Sequence, residues 1–137
     1  MNKAIICDID GTLAIRNGRG PFEHEKSNTD TLCKEVKNLL DLYKSNGYKI
    51  IIFSGRQHRF KDITIKWMED NDVNYDSIYL RNTDDNRSDS IVKMELYNKH
   101  IKNHYDIEFI LDDRNQVVDM WRKDLGLKCF QVNYGDF

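Results

Sequence analysis

The sequence predicts an α/β fold: a mostly parallel sheet with helices on both faces. Three observations carry that expectation. Strand and helix signals alternate along the 137 residues. The run Lys49-Ile50-Ile51-Ile52-Phe53 is continuously apolar and rich in β-branched residues, as a strand covered on both faces must be. Three charged clusters each directly follow an apolar run, the edge at which parallel sheets hold ligands.

In chain order, Lys3–Cys7 is the first strand. The polar stretch Ala14–Asn28 holds Gly18, Gly20 and the sole proline, Pro21, and reads as a loop. A helix is predicted from Thr29 to Asn46, with Leu32, Val36, Leu39, Leu40 and Tyr43 on one stripe and Gly47 placed to stop it. The strand Lys49–Phe53 leads to a helix at Asp62–Asn71 carrying Ile63, Trp67 and Met68. Ser77–Leu80 is a short strand. The helix Ser88–Lys102 presents Ile91, Val92 and Leu96 inward. Glu108–Leu111 is a strand, Gln116–Asp124 a helix and Lys128–Val132 the last strand. No repeat or linker divides the chain, so one domain spanning 1–137 is expected.

Composition narrows the function classes. At 39% hydrophobic and 32% charged residues, the chain is neither disordered nor membranous. A net charge of −2 excludes a globally basic nucleic-acid binder, so any polyanion must be held by a local cluster. Cys7, Cys33 and Cys129 lie scattered inside apolar runs without metal-ligand spacing, as reduced core cysteines of a cytoplasmic protein would. No targeting segment precedes the first strand, and no apolar run nears transmembrane length.

The chemistry concentrates at Asp8-Ile9-Asp10-Gly11-Thr12, behind the strand Lys3–Cys7. Two carboxylates one residue apart repel each other and resist losing water. A hard cation such as Mg²⁺, which takes oxygen ligands, is the natural remedy. Asp8 is then a candidate nucleophile that accepts a phosphoryl group, and Asp10 a general acid. An Asx-turn that starts a loop is the structural alternative. Ser54-Gly55-Arg56, after the second strand, offers a hydroxyl, a glycine permitting close approach, and backbone N–H groups for a phosphate. Asp112-Asp113 follows the strand Glu108–Leu111. One of the two would complete the cation shell, although acids at a helix N-terminus also explain the pair. Lys93 reads by default as a solvated helix lysine, and functionally as a fixed positive charge beside Asp8.

Together, Asp8-x-Asp10-Gly11-Thr12, Ser54, Lys93 and Asp112-Asp113 resemble the four ordered motifs of the haloacid dehalogenase (HAD) superfamily of phosphotransferases. Asn17-Gly18-Arg19-Gly20-Pro21, Trp67-Met68-Glu69-Asp70, Asp112-Asp113-Arg114-x-Gln116-Val117-Val118-x-Met120-Trp121-Arg122 and Gly135-Asp136-Phe137 narrow the resemblance to the 3′-phosphatase domain of bacteriophage polynucleotide kinase/phosphatase. That resemblance implies a HAD-like, Rossmannoid sheet with a minimal cap. It also implies Mg²⁺-dependent removal of 3′-terminal phosphate from DNA or RNA ends. Asp8 would attack phosphorus, and Asp10 would protonate the leaving 3′-oxygen. Thr12, Ser54, Gly55 and Lys93 would hold the phosphoryl group. The metal would be held by Asp8, the Asp10 backbone carbonyl, and Asp112 or Asp113. Arg19, Arg56 and Arg81 would contact phosphate or the nucleic-acid end.

The chain lacks the Gly-x-x-x-x-Gly-Lys-Ser/Thr loop of a kinase, so it reads as either a stand-alone phosphatase, the favoured expectation, with kinase and ligase supplied separately, or a domain of a longer protein. The roughly forty residues between Asp10 and Ser54 leave room for a flap at 14–28 but not for a large cap. Two rivals remain at this level: a 3′-nucleotidase acting on small molecules, and a non-catalytic module that binds nucleic-acid ends.

Overall fold

A computed structural model describes all residues, Met1–Phe137. Its strands are β1 (Asn2–Asp8), β2 (Ala14–Ile15), β3 (Thr31–Leu32), β4 (Lys49–Gln57), β5 (Ser77–Arg81), β6 (Tyr105–Asp112) and β7 (Cys129–Gln131). The helices are α1 (Lys34–Ser45), α2 (Lys61–Asp70), α3 (Asp89–His100) and α4 (Asn115–Asp119), the last continued by a π-helical turn over Met120–Asp124. Five strands form one sheet in the order β5-β4-β1-β6-β7, and every neighbouring pair is parallel. The predicted α/β architecture is therefore the observed one.

Strand periodicity divides the core. Ile5, Cys7, Ile50, Ile52, Phe109 and Leu111 face α1 and α2, packing with Val36, Leu40, Trp67 and Met68. Ala4, Ile6, Ile51, Phe53 and Ile110 face the other way, against Val117, Val118, Met120 and Trp121. Because both faces are covered, β1 and β4 need unbroken apolar runs rather than alternation. No helix is long and apolar enough to cross a membrane. The three cysteines are free, with Cys7 and Cys129 buried and Cys33 half-buried.

Three sequence expectations shift. The helix predicted from Thr29 starts only at Lys34, because Thr31–Leu32 pairs antiparallel with Ala14–Ile15 and Cys33 takes the cap position. That small hairpin closes the base of the 14–28 loop, whose far end is a 3₁₀ turn over His24–Thr29. β4 runs on to Gln57, past the expected end at Phe53. Its pairing with β5 slips between Ser54 and Gln57, which accommodates Gly55 and Arg56 in the strand end. On α3, Ile91 faces solvent instead of the core. Leu96 packs against the core as expected, and the buried residues are Asp89, Val92 and Lys93, so the default reading of Lys93 as solvated is overturned.

Candidate active site

Parallel register carries the three clusters to one rim. Asp8 ends β1 opposite Phe53 of β4, one residue before Ser54. On the other side, β1 pairs with β6, which ends at Asp112. α3 then brings Lys93, only 1% exposed, beneath this edge. Lys93 Nζ donates to Asp8 Oδ1 at 2.9 Å and to Asp112 Oδ2 at 3.0 Å, spanning 85 residues of sequence in the first contact. Thr12 Oγ1 lies 3.0 Å from Asp8 Oδ2 and 3.4 Å from Asp113 Oδ1. Trp121 Nε1 reaches Asp112 Oδ2 at 3.3 Å, and the other Asp112 oxygen accepts the Asp113 backbone N–H at 2.8 Å. Gly11 adopts φ +82°, and a Cβ there would land on the Asp113 carboxylate; glycine lets the two loops meet.

The electrostatics of this cluster are lopsided. Asp8, Asp112 and Asp113 are buried and place donor oxygens within 4.8 Å of one another. One ammonium, Lys93, serves Asp8 and Asp112. Burial, and then the Asp112 charge, push the Asp8 carboxyl well above its ordinary value against the pull of Lys93. Burial also raises Asp113. Burial alone would lower Lys93, yet the Asp112 and Asp8 carboxylates lift it well above the usual lysine value. An oxygen-only donor set with surplus negative charge fits a hard divalent cation. Both Asp112 and Asp113 belong to this set.

Asp10 belongs to a second network. Its carboxylate receives two hydrogen bonds from Arg56, at 2.9 and 2.8 Å, and one from Arg19 at 2.9 Å. Both arginines also grip Asp30, whose carboxylate accepts Arg19 Nε at 2.7 Å and Arg56 Nη2 at 3.1 Å. His24 Nε2 stands 3.7 Å from Asp10. Burial works to raise Asp10, but the hydrogen bonds and charge of Arg56, with His24 and Arg19, hold it below the usual carboxylate range. The two carboxyls, two residues apart, are thus driven in opposite directions, Asp8 up by burial and neighbouring acids and Asp10 down by its arginines.

The remaining predicted residues fall around this centre. Ser54 is fully buried, and its Oγ accepts the Arg56 backbone N–H at 3.1 Å. A Cβ on Gly55 would collide with the Asp89 carboxylate, so the glycine makes room for that acid. Arg81 Nε donates to the Gly55 carbonyl at 2.6 Å and its Nη2 to Asp89 at 3.2 Å, bracing the β4–β5 rim. Arg19, carried by the 14–28 loop, does reach Asp10. Sequence reasoning missed Asp30, Asp89 and His24. Asp30 falls inside the predicted helix Thr29–Asn46 and Asp89 inside the predicted helix Ser88–Lys102; neither carries a local signal of its buried partners.

The chain matches the family described as the polynucleotide kinase PNKP phosphatase domain over residues 2–137. The chain belongs to that family. It superimposes on chains of the Pnkp1/Rnl/Hen1 RNA repair complex in two structures, at TM-scores of 0.97 and 0.98 and 47% identity, covering 99% and 100% of its own length. It is 28% identical over 123 residues to a protein of Autographa californica nuclear polyhedrosis virus named "Putative bifunctional polynucleotide kinase/RNA ligase". The chain spans 44% and 48% of those structural relatives and 18% of the viral one. The HAD domain of the effector Lem4 from Legionella pneumophila shares the fold at a TM-score of 0.54 and 15% identity, covering 98% of this chain and 88% of that one. The HAD phosphatase family to which the sequence pointed is thus the family of this chain.

Proposed function

We propose that this domain is a Mg²⁺-dependent polynucleotide 3′-phosphatase that leaves a 3′-hydroxyl for ligation. The observation that carries the reading is Lys93, buried between Asp8 and Asp112 with Asp113 alongside. It is a fixed cation that lets a phosphate dianion approach a carboxylate nucleophile.

Asp8, Asp112 and Asp113 would hold the cation, which when bound supplies charge neutralisation to the transferring phosphoryl oxygens. The Asp8 carboxylate attacks phosphorus, and the bond from phosphorus to the 3′-oxygen breaks as Asp10 hands that oxygen a proton. The field of an incoming phosphate dianion favours the protonated form of Asp10 that this step needs. Asp10 then takes a proton from water as the water attacks the aspartyl-phosphate, releasing inorganic phosphate and restoring Asp8. Thr12, hydrogen-bonded to Asp8, and Ser54, at the end of the neighbouring strand, would be hydroxyl partners for phosphoryl oxygens.

The groove over this centre has a volume of about 1400 Å³. That exceeds the roughly 300–1,000 Å³ of an ordinary small-molecule pocket, which favours a polymer end over a free 3′-mononucleotide. A 3′-hydroxyl is useful to a ligase once the opposing end carries a 5′-phosphate. We therefore place the domain beside kinase and ligase activities.

The test is phosphate release with Mg²⁺ from three substrates: a 3′-phosphorylated oligonucleotide, its 5′-phosphorylated counterpart and a 3′-mononucleotide. Turnover of the first is expected to dominate. Preference for the 5′-phosphate or for the monomer would overturn the proposal.

A further inference from the structure

We infer that Phe22 and Tyr134 are base-stacking platforms for an unpaired 3′ end, and that Arg16 and Arg59 hold its phosphates; this rests on the 3′-phosphatase reading. All four line the groove that contains Asp8 and Asp10. Phe22 is 77% exposed and Tyr134 84%, the Tyr134 hydroxyl having only a 3.3 Å contact to Asp136. Large aromatics left in water at the mouth of a catalytic groove contribute nothing to the core. Their faces are available to nucleobases, which stack on them with little regard to sequence.

Neither ring hangs on a loose segment. Tyr134 lies between two anchors on the catalytic loops: Asn133 Nδ2 donates to the Gly11 carbonyl at 2.7 Å, and the Asn115 N–H donates to the Gly135 carbonyl at 2.7 Å. Gly135 is pressed so closely on the Asp113 backbone that a Cβ would clash with it. Phe22 sits in the turn that Gly20 and Glu23 close at 2.7 Å, in the loop that Arg19 fastens to Asp30. Rigid presentation lowers the ordering cost of binding.

The charges agree. Most cations on this groove are spent: Arg19 on Asp10 and Asp30, Arg87 on Asp85 and Glu95, Arg81 on Asp89. Arg16 and Arg59 are not ion-paired. Arg16 makes only a 3.4 Å contact to the Arg19 carbonyl, and Arg59 lies over the Phe60 ring at 5.1 Å. On a chain of net charge −2, two unspent guanidiniums lining the same groove as the exposed rings are where a polyanion can dock. Bases already paired in a duplex have their faces stacked on neighbours, so the platforms select a single strand.

The experiment measures steady-state kinetics on a single-stranded 3′-phosphorylated oligonucleotide. Further substrates are the same strand in a blunt duplex and a strand with two abasic residues at its 3′ end. Tyr134→Ala and Phe22→Ala are each expected to raise KM for the single strand about 5- to 100-fold, with kcat little changed. Tyr134→Phe should restore KM. The wild type should show a similarly raised KM for the abasic strand and for the duplex. Equal wild-type KM for normal and abasic strands, or a fall in kcat at constant KM in the alanine variants, overturns the inference. If the wild type releases phosphate from no 3′ end, the underlying function falls instead. Stacking is then read from fluorescence anisotropy of a 3′-hydroxyl strand, where equal affinity of wild type and Tyr134→Ala overturns it.

Discussion

Asp8 is the residue on which the chemistry and the stability pull hardest against each other. It is 5% exposed, its carboxyl is pushed up by burial and by Asp112, and Lys93 offsets only part of that. Under the proposed function, a charge held so unfavourably serves reactivity rather than stability. Replacing it by the uncharged isostere should relieve repulsion, with the amide oxygen still accepting from Lys93 and the amide nitrogen donating to the Thr12 hydroxyl. Asp8→Asn is therefore expected to abolish phosphate release while its Tm stays equal to or above that of the wild type. A variant that still turns over would remove Asp8 from the nucleophile role. Asp8, Asp10 and the vicinal Asp112-Asp113 pair were legible as residue types and spacing. The split between Asp10, tied to arginine, and Asp8, tied to lysine, was not. Nothing near either aspartate in sequence says which cation, 46 or 85 residues away, will face it.

Elements were legible wherever periodicity dominates. Gly47, at φ +89°, follows α1 where the helix was expected to stop, and the isoleucine run of β4 is buried throughout. Boundaries failed where tertiary contacts override local preference, at Thr29–Cys33 and at the extension of β4. Another tertiary contact ties down the start of β4, where the expected boundary holds. Asp76, leading into β5, accepts the Ile50 N–H at 2.8 Å and Lys44 Nζ at 3.0 Å, joining α1, β4 and β5. Burial would raise its carboxyl, but the Ile50 N–H and Lys44 bring it below the ordinary value. A depressed folded-state value stabilises the fold above the unfolded carboxyl's pKa, about 3.9, and that contribution fades as pH falls through the folded value. Asp76→Asn should thus cost about 1 kcal/mol in urea unfolding at neutral pH. The gap from wild type should close as the pH drops below about 4. A gap independent of pH would mean that the charge is not what matters.

At the scale of the whole molecule, the parallel sheet gathers three buried carboxylates around one lysine, which leaves a surplus of negative charge inside the fold. A divalent cation that binds only the folded state should stabilise it. At a hundredfold excess over its Kd the gain is about 2.7 kcal/mol, on the order of 10 °C in Tm. Adding Mg²⁺ to the EDTA-treated protein is expected to raise Tm by that order, and Asp113→Asn to blunt the rise. Identical melting curves with and without Mg²⁺ would refute the site.

The amino-acid sequence by itself determined the alternation of elements, the covered sheet and which residue types carry reactivity, because hydrophobic period and motif spacing are local properties of the chain. Only the tertiary structure decided that Lys93 is buried, that Asp30 and Asp89 serve the site, and that Arg16 and Arg59 are left unspent. Those outcomes depend on which distant segments meet, and the energy of a charge is set by its neighbours in space.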